Sequence, residues 1–142
     1  MVSPLEGTPR VVLDTNVLVS GLLTPAGPSA RIVDLAQLGE IRLLYDDRMF
    51  QEYAQVLQRP RFGFSPPAVR LLLEFLEDEG EHVVADPLQP MGADSSDQPF
   101  LEVAVSGGAS LLVTGNRKHY PKHSPPGFRI VSPQEALRLL AV

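Results

Sequence analysis

The stretch from Val11 to Gly21, Val-Val-Leu-Asp-Thr-Asn-Val-Leu-Val-Ser-Gly, decides how the rest of the chain is read. With Arg10 it opens on a short β-branched run that closes on an acid, Asp14. Apolar residues at consecutive positions, rather than alternate ones, are what a strand covered on both faces needs. An acid at the end of such a run is costly unless it is solvated or paired. In open parallel sheets, sites form beyond the carboxyl ends of the strands, which is where Asp14 would stand.

The same alternation continues along the chain. From about Ser20 to Gly39 the spacing turns helical, punctuated by Pro25, Gly27 and Pro28, with Ser29 as the expected N-cap of a helix through Ile32, Val33, Leu35, Ala36 and Leu38. Ile41 to Tyr45 reads as a second strand. Asp46 or Asp47 then caps a helix carrying Met49, Phe50, Tyr53, Val56 and Leu57 at near-helical spacing. Ser65-Pro66-Pro67 opens another helix, through Leu72, Phe75, Leu76 and Glu79, that Gly80 stops. His82 to Ala85 is the third expected strand, Pro87 to Ser96 a loop, and Asp97 to about Gly107 a helix. Ser110 to Thr114 and Phe128 to Val131 are the last two expected strands, separated by the polar, proline-rich stretch Gly115 to Gly127. Ser132 and Glu135 form a capping box for a final helix, Ala136 to Leu140. Strands alternating with helices predict an α/β fold with a parallel sheet covered on both faces.

A chain of 142 residues, 44% hydrophobic, suits one domain with a real core. Residues 1–9, short, polar and proline-containing, read as a flexible N-terminal extension and carry no apolar run of signal-peptide length. Its longest apolar runs fall far below the roughly 20 residues of a membrane span, so a soluble protein is expected. The absence of cysteine excludes disulfides and thiolate metal sites and suits a reducing cytoplasm. A net charge of −5 argues against nucleic-acid binding, unless several acids gather around cations.

The acids matter by where they fall. Asp14 ends the first strand and Glu52 lies on the helix after the second. Asp94 and Asp97 follow the third strand, and Asn116 follows the fourth by two residues. Converging on one edge of the sheet, they would make an oxygen-donor group suited to a hard cation such as Mg²⁺ or Mn²⁺. Such an ion can activate a water and offset the charge on a phosphate being cleaved. Each also has a bland alternative: Asp14 a turn cap, Glu52 a solvated helix face, Asp94 a loop residue, Asp97 an N-cap, Asn116 with Gly115 a turn. It is their order and spacing together that favour a site. Asn16, Ser20 and Thr114 are candidates to orient carboxylates or waters. Arg117, Lys118, His119, Lys122 and His123 form the one dense basic segment, a phosphate-positioning patch or a solvated loop. Arg59 and Arg61 extend that rim. No aromatic stripe of the single-strand-binding kind is evident.

These residues resemble the motifs of the PIN domain family. Val11 to Gly21 is similar to the first motif, a strand ending in Asp followed by Thr-Asn. Phe50-Gln-Glu-Tyr53 with Val56-Leu57 resembles the helix bearing the second acid. Asp94-Ser-Ser-Asp97 with Phe100 to Ala104 resembles the third motif. Leu112-Val-Thr-Gly-Asn116 resembles the fourth, where most members have Thr-Gly-Asp. The matches run in order from residue 10 to about 135. The nearest pattern is the bacterial toxin-like group related to VapC ribonucleases. The resemblance implies a three-layer α/β/α fold with a central parallel sheet of four to five strands, and a metal-dependent endoribonuclease. It makes Asp14, Glu52 and Asp97 the core acids and Asp94 an accessory one. It also implies a homodimer or higher oligomer and an antitoxin partner. Asn116 departs from the pattern and puts a second metal ion in doubt.

Two other classes compete. An aspartyl phosphatase of the haloacid-dehalogenase type also ends its first strand on Asp, but wants a second Asp where Asn16 stands. A PIN-fold RNA- or protein-binding module that has lost catalysis is the other, and Asn116 is its sequence support.

Overall fold

The computed structural model describes residues 7–90, 96–122 and 127–140. Five strands form one parallel sheet: β1 (Arg10–Leu13), β2 (Arg42–Tyr45), β3 (Glu81–His82), β4 (Leu111–Val113) and β5 (Arg129–Val131). Their order is β3-β2-β1-β4-β5. The chain therefore builds outward from β1 to one side, then returns across it and builds to the other. The reversal places a crevice beyond the carboxyl ends of β1 and β4, the location where open α/β sheets hold their ligands. Leu13 pairs in register with Val113, so Asp14 and Thr114 leave the sheet side by side.

The described helices are α1 (Thr15–Leu23), α2 (Pro28–Gln37), α3 (Asp47–Leu57), α4 (Pro66–Glu79), α5 (Gln98–Gly107) and α6 (Pro133–Leu140). They cover the sheet in a three-layer α/β/α arrangement. Helix α5 packs on β1, β2 and β4, while α2 contacts α1, α4 and α6. Val11, Val12, Leu13, Leu43, Leu44, Leu112 and Val113 are fully enclosed, which is why these strands read as unbroken apolar runs.

Several local expectations shift. The helical segment expected from about Ser20 starts five residues earlier, directly after Asp14, and breaks into two helices around Pro25, Gly27 and Pro28, the residues expected to punctuate it. Three β-branched residues among Thr15 to Val19, poor helix formers, masked the start of α1. Helix α2 is capped by Gly27 with Pro28 in its first turn, so Ser29 is already helical and is not the cap. The strand expected over His82 to Ala85 pairs only through Glu81–His82. Its neighbour β2 ends at Tyr45, leaving the next residues without a partner strand, and Val84 is 85% exposed. Phe75 lies on the exposed face of α4, whose buried face is Val69, Leu72 and Leu76. Only half of the capping box forms. Ser132 Oγ accepts the Glu135 N–H at 3.1 Å, but the Glu135 carboxylate turns to Arg129 at 2.9 Å. Pro9, read as part of the extension, already accepts the Arg42 N–H at 2.7 Å.

A polar clamp fixes α3 against α5. Asp46 caps α3 by accepting the Met49 N–H at 2.9 Å. Arg48 donates to Asp46 at 2.8 Å and to Glu102, buried on α5, also at 2.8 Å. Glu102 also accepts the Leu88 N–H at 3.0 Å. Burial opposes ionisation of Glu102, but the Leu88 N–H and the Arg48 guanidinium outweigh it and hold its pKa below the ordinary 4.5. A depressed carboxyl pKa contributes stability that is present above the unfolded value and lost as pH falls through the folded one. Glu102→Gln should therefore cost about 1–2 kcal/mol at neutral pH, a modest value because Arg48 is half-exposed. Urea unfolding should show the gap between wild type and variant closing below pH of about 4.5. A gap that persists undiminished into acid would show that packing, not charge, is what Glu102 contributes.

Candidate active site

Asp14 is buried at the junction of β1 and α1, with 6% of its surface exposed. Its backbone N–H continues the sheet by donating to the Val113 carbonyl at 2.9 Å. Its side chain does not form a strong helix cap, since Oδ1 lies 3.5 Å from the Asn16 N–H. Oδ2 is held instead by two hydroxyls, Thr114 Oγ1 at 2.9 Å and Tyr120 at 3.0 Å. Thr114 Oγ1 also accepts the Asn116 N–H at 3.0 Å, so one hydroxyl links Asp14 to the loop after β4. Asn16 Oδ1 accepts the Gly115 N–H at 3.0 Å, tying the first turn of α1 to the loop after β4. An amide committed in this way is poorly placed to be the acid/base of an aspartyl phosphatase.

Tyr120 carries no signal in the sequence, because it lies in an irregular polar loop with no periodicity to mark it. It is buried beside the acids. Burial first, then the charges of Asp14 and Asp97 and the hydrogen bond to Asp14, push its hydroxyl far above the usual tyrosine range. It stays a neutral donor at any physiological pH. Tyr53, fully buried on α3, is raised for the same kinds of reason: burial, then Asp14, Glu52 and Asp46. Both phenols sit in the negative field of the acids.

Asp97 stands at the start of α5, 8% exposed, and its side chain makes no capping hydrogen bond to the helix. Asp97 thus holds the N-cap position of α5 without capping it through its side chain. Its Oδ2 lies 3.7 Å from His119 Nδ1. Asn116 approaches the same imidazole, its Nδ2 3.1 Å from His119 Nε2. Asp14, Asp97, Asn116 and His119, together with Thr15 and Asn16, line one cleft of about 380 Å³ whose other wall is Val19, Val56, Arg59, Arg61 and Phe62.

Other expected residues fall elsewhere. Glu52 is half-buried on α3 and does not line the cleft; its carboxylate receives the hydroxyl of Thr15, which does. Ser20 is exposed a turn further along α1 and is not brought to the site. Asp94 and His123 lie outside the described residues. Arg117 is not free for phosphate, because its guanidinium donates to the carbonyls of Tyr120, Pro121 and Lys122 and folds the loop on itself. Lys118 and Lys122 do not line the cleft. Its arginines are Arg59 and Arg61.

The donor chemistry fits a hard divalent cation. Two buried carboxylates and an amide, all oxygen donors, face one accessible cleft. Among the described residues no group of three acids or histidines stands close enough to hold a metal ion. The fit is therefore to Asp14, Asp97 and Asn116, with Glu52 behind Thr15.

The comparisons agree with this geometry. A model of the PIN domain matches residues 10–118. Among solved structures, the crystal structure of PAE2754 from Pyrobaculum aerophilum is similar over 94% of this chain and 90% of that one, at a TM-score of 0.60 and 18% identity. At that identity the likeness speaks for the fold. No curated protein matches the chain.

Tyr120→Phe tests how Asp14 is held. Losing one hydrogen bond to a buried carboxylate should cost about 1.5–3 kcal/mol of unfolding free energy. Chemical denaturation measures it, and a variant as stable as wild type would mean that Tyr120 does not hold Asp14.

Proposed function

Because this chain belongs to the PIN domain family, whose members are generally nucleases and typically use divalent metal ions, we propose that it is a metal-dependent endoribonuclease using Mg²⁺ or Mn²⁺. The observation that carries the proposal is the meeting of two buried carboxylates, Asp14 and Asp97, in one cleft at the reversal point of the sheet. Asp14 and Asp97 hold the cation and Asn116 adds a neutral oxygen. A divalent ion there supplies the positive charge that activates a water and offsets the charge on a scissile phosphate. Thr114 and Tyr120 hold Asp14 without neutralising it, since both are uncharged donors. Thr15, which lines the cleft, donates its hydroxyl to Glu52 and holds that acid behind the cleft wall, where its negative charge adds to the field that draws the cation. Arg59 and Arg61 receive the phosphates of the strand.

The motif resemblance extends the proposal to a toxin of the VapC-related kind, restrained by an antitoxin protein and acting as a homodimer or higher oligomer in the cytoplasm. For these finer points the support is the resemblance alone. Among the described residues no helix is long and apolar enough to cross a membrane. A PIN-fold binding module without catalysis draws its support from Asn116 and from the engagement of Glu52 by Thr15.

Purified protein should cut RNA with Mg²⁺ or Mn²⁺ and not with chelator. Asp14→Asn should abolish cutting while keeping a folded protein by circular dichroism. Undiminished cutting by that variant would sink the assignment. Absence of both cutting and calorimetric metal binding in wild type would favour the binding module. Asn116→Asp should tighten Mn²⁺ binding roughly ten-fold by adding a charged ligand. Weaker binding would remove Asn116 from the ligand set.

A further inference from the structure

The segment Arg59-Pro-Arg-Phe-Gly-Phe64 joins α3 to α4 and runs along the candidate site. Pro60–Phe62 is a single 3₁₀ turn, and Gly63 follows with φ of +65°. A Cβ at Gly63 would meet nothing within 4 Å, so glycine is needed there for its left-handed backbone, not for space. That turn brings Phe64 back onto Phe62, with ring centroids 5.4 Å apart and planes 14° from parallel. The Arg61 guanidinium lies 4.8 Å from the centre of the Phe62 ring. Phe62 lines the acidic cleft. Phe64 lines a second pocket, of about 320 Å³, with Leu57, Gln58, Pro66, Val69, Arg70 and Leu73. The stacked pair is thus the wall between the cleft and an apolar pocket.

Charge points the same way. Among the described residues Arg59, Arg61 and Arg70 are three of the basic side chains that form no ion pair with an acid. In a chain of net charge −5, three such cations along one short path from the acids match a polyanion. Aromatic rings flanked by arginines are how single-stranded nucleic acids are held without base pairing. The pocket lies at the small end of the range of about 300–1,000 Å³ for small-ligand sites.

We propose that the pocket bordered by Phe64 is a nucleobase subsite. It takes an unpaired base of the strand whose phosphate lies at Asp14 and Asp97, with Arg59, Arg61 and Arg70 on the neighbouring phosphates. This rests on the nuclease reading of the cleft and narrows its substrate to single-stranded RNA.

The chain has no tryptophan, so Phe64→Trp introduces a single reporter at the subsite. The probe is a short, fluorescein-labelled, mixed-sequence single-stranded RNA, with chelator present to prevent cleavage. The label's anisotropy reports binding, and unlabelled RNA of the same sequence is used to read tryptophan quenching. Binding should quench the tryptophan, and a strand with an abasic nucleotide at the occupied position should quench it less. Phe64→Ala should bind single strands roughly ten-fold more weakly than wild type, the weight of one base–aromatic stack, and Phe64→Trp should not. Binding without quenching, or with quenching unchanged by every abasic substitution, overturns the subsite and leaves the nuclease reading standing. Absence of binding by wild type, with or without Mn²⁺, overturns both.

Discussion

A carboxylate buried at the end of the central strand is the constraint around which the molecule is arranged. Asp14 belongs to β1 by its backbone and to α1 by its position, and its side chain has almost no access to bulk water. An isolated charge in such a place is prohibitively costly. The fold lowers that cost without cancelling the charge. Strand β4, paired with β1, delivers Thr114, and the loop after it curls back to deliver Tyr120. Both hydroxyls go to Oδ2, while Oδ1 has only the distant Asn16 amide. The carboxylate is immobilised through one oxygen, and the other is the one that the proposed cation would engage. Arg117, which looked like a substrate contact, serves this end by folding the loop that carries Tyr120.

The disposition of the arginines separates structural acids from site acids. Arg10 takes up Glu81, Arg48 takes up Asp46 and Glu102, and Arg129 takes up Glu135. Among the described residues no arginine forms a salt bridge with Asp14 or Asp97. His119 approaches Asp97 only at 3.7 Å. The acidic balance of the chain therefore does not argue against a polyanionic substrate. Two basic groups, Arg59 and Arg61, stand at the same cleft as Asp14 and Asp97.

What the sequence disclosed follows from the physics of each signal. The doubly covered strands were legible because a short, continuous apolar run bounded by turn residues suits a strand buried on both faces and little else. The strand order, with its reversal at β1, was not legible, since alternation of strands and helices predicts a parallel sheet but not the sequence of its strands. Asp14, Asp97, Asn116 and Thr114 were legible because strand ends converge in a parallel sheet. Tyr120 and the link from Thr15 to Glu52 were not, since each depends on how a side chain turns after the backbone is placed. Ser20 was misplaced with the start of α1: once the helix begins at Thr15, Ser20 rotates to the exposed face. The stacking of Phe62 on Phe64 was hidden for a related reason. Residues two apart need a bend in the chain to lay one ring flat on the other, and only the left-handed Gly63 brings these two together.

The chemistry and the substrate recognition proposed for this chain fall on different parts of the fold, and this bears on how each can change. Asp14, Thr114 and Asn116 stand at or just beyond the ends of β1 and β4 and are constrained by the register of the sheet. Arg59 to Phe64 belong to a connection between α3 and α4 that is held by its own turn and by the stack of Phe62 on Phe64 rather than by the register of the sheet. Substitutions in that connection alter what approaches the acids without moving them, whereas substitutions at the strand ends disturb the buried charge itself. Asn116 is the exception among the strand-end residues. It is only half-buried and uncharged, so replacing it changes the charge of the cleft at little cost to the packing beneath. On the proposed reading, the neutral residue at that position would set how strongly the cleft draws a cation, while the hydroxyls on Asp14 set where its carboxylate stands.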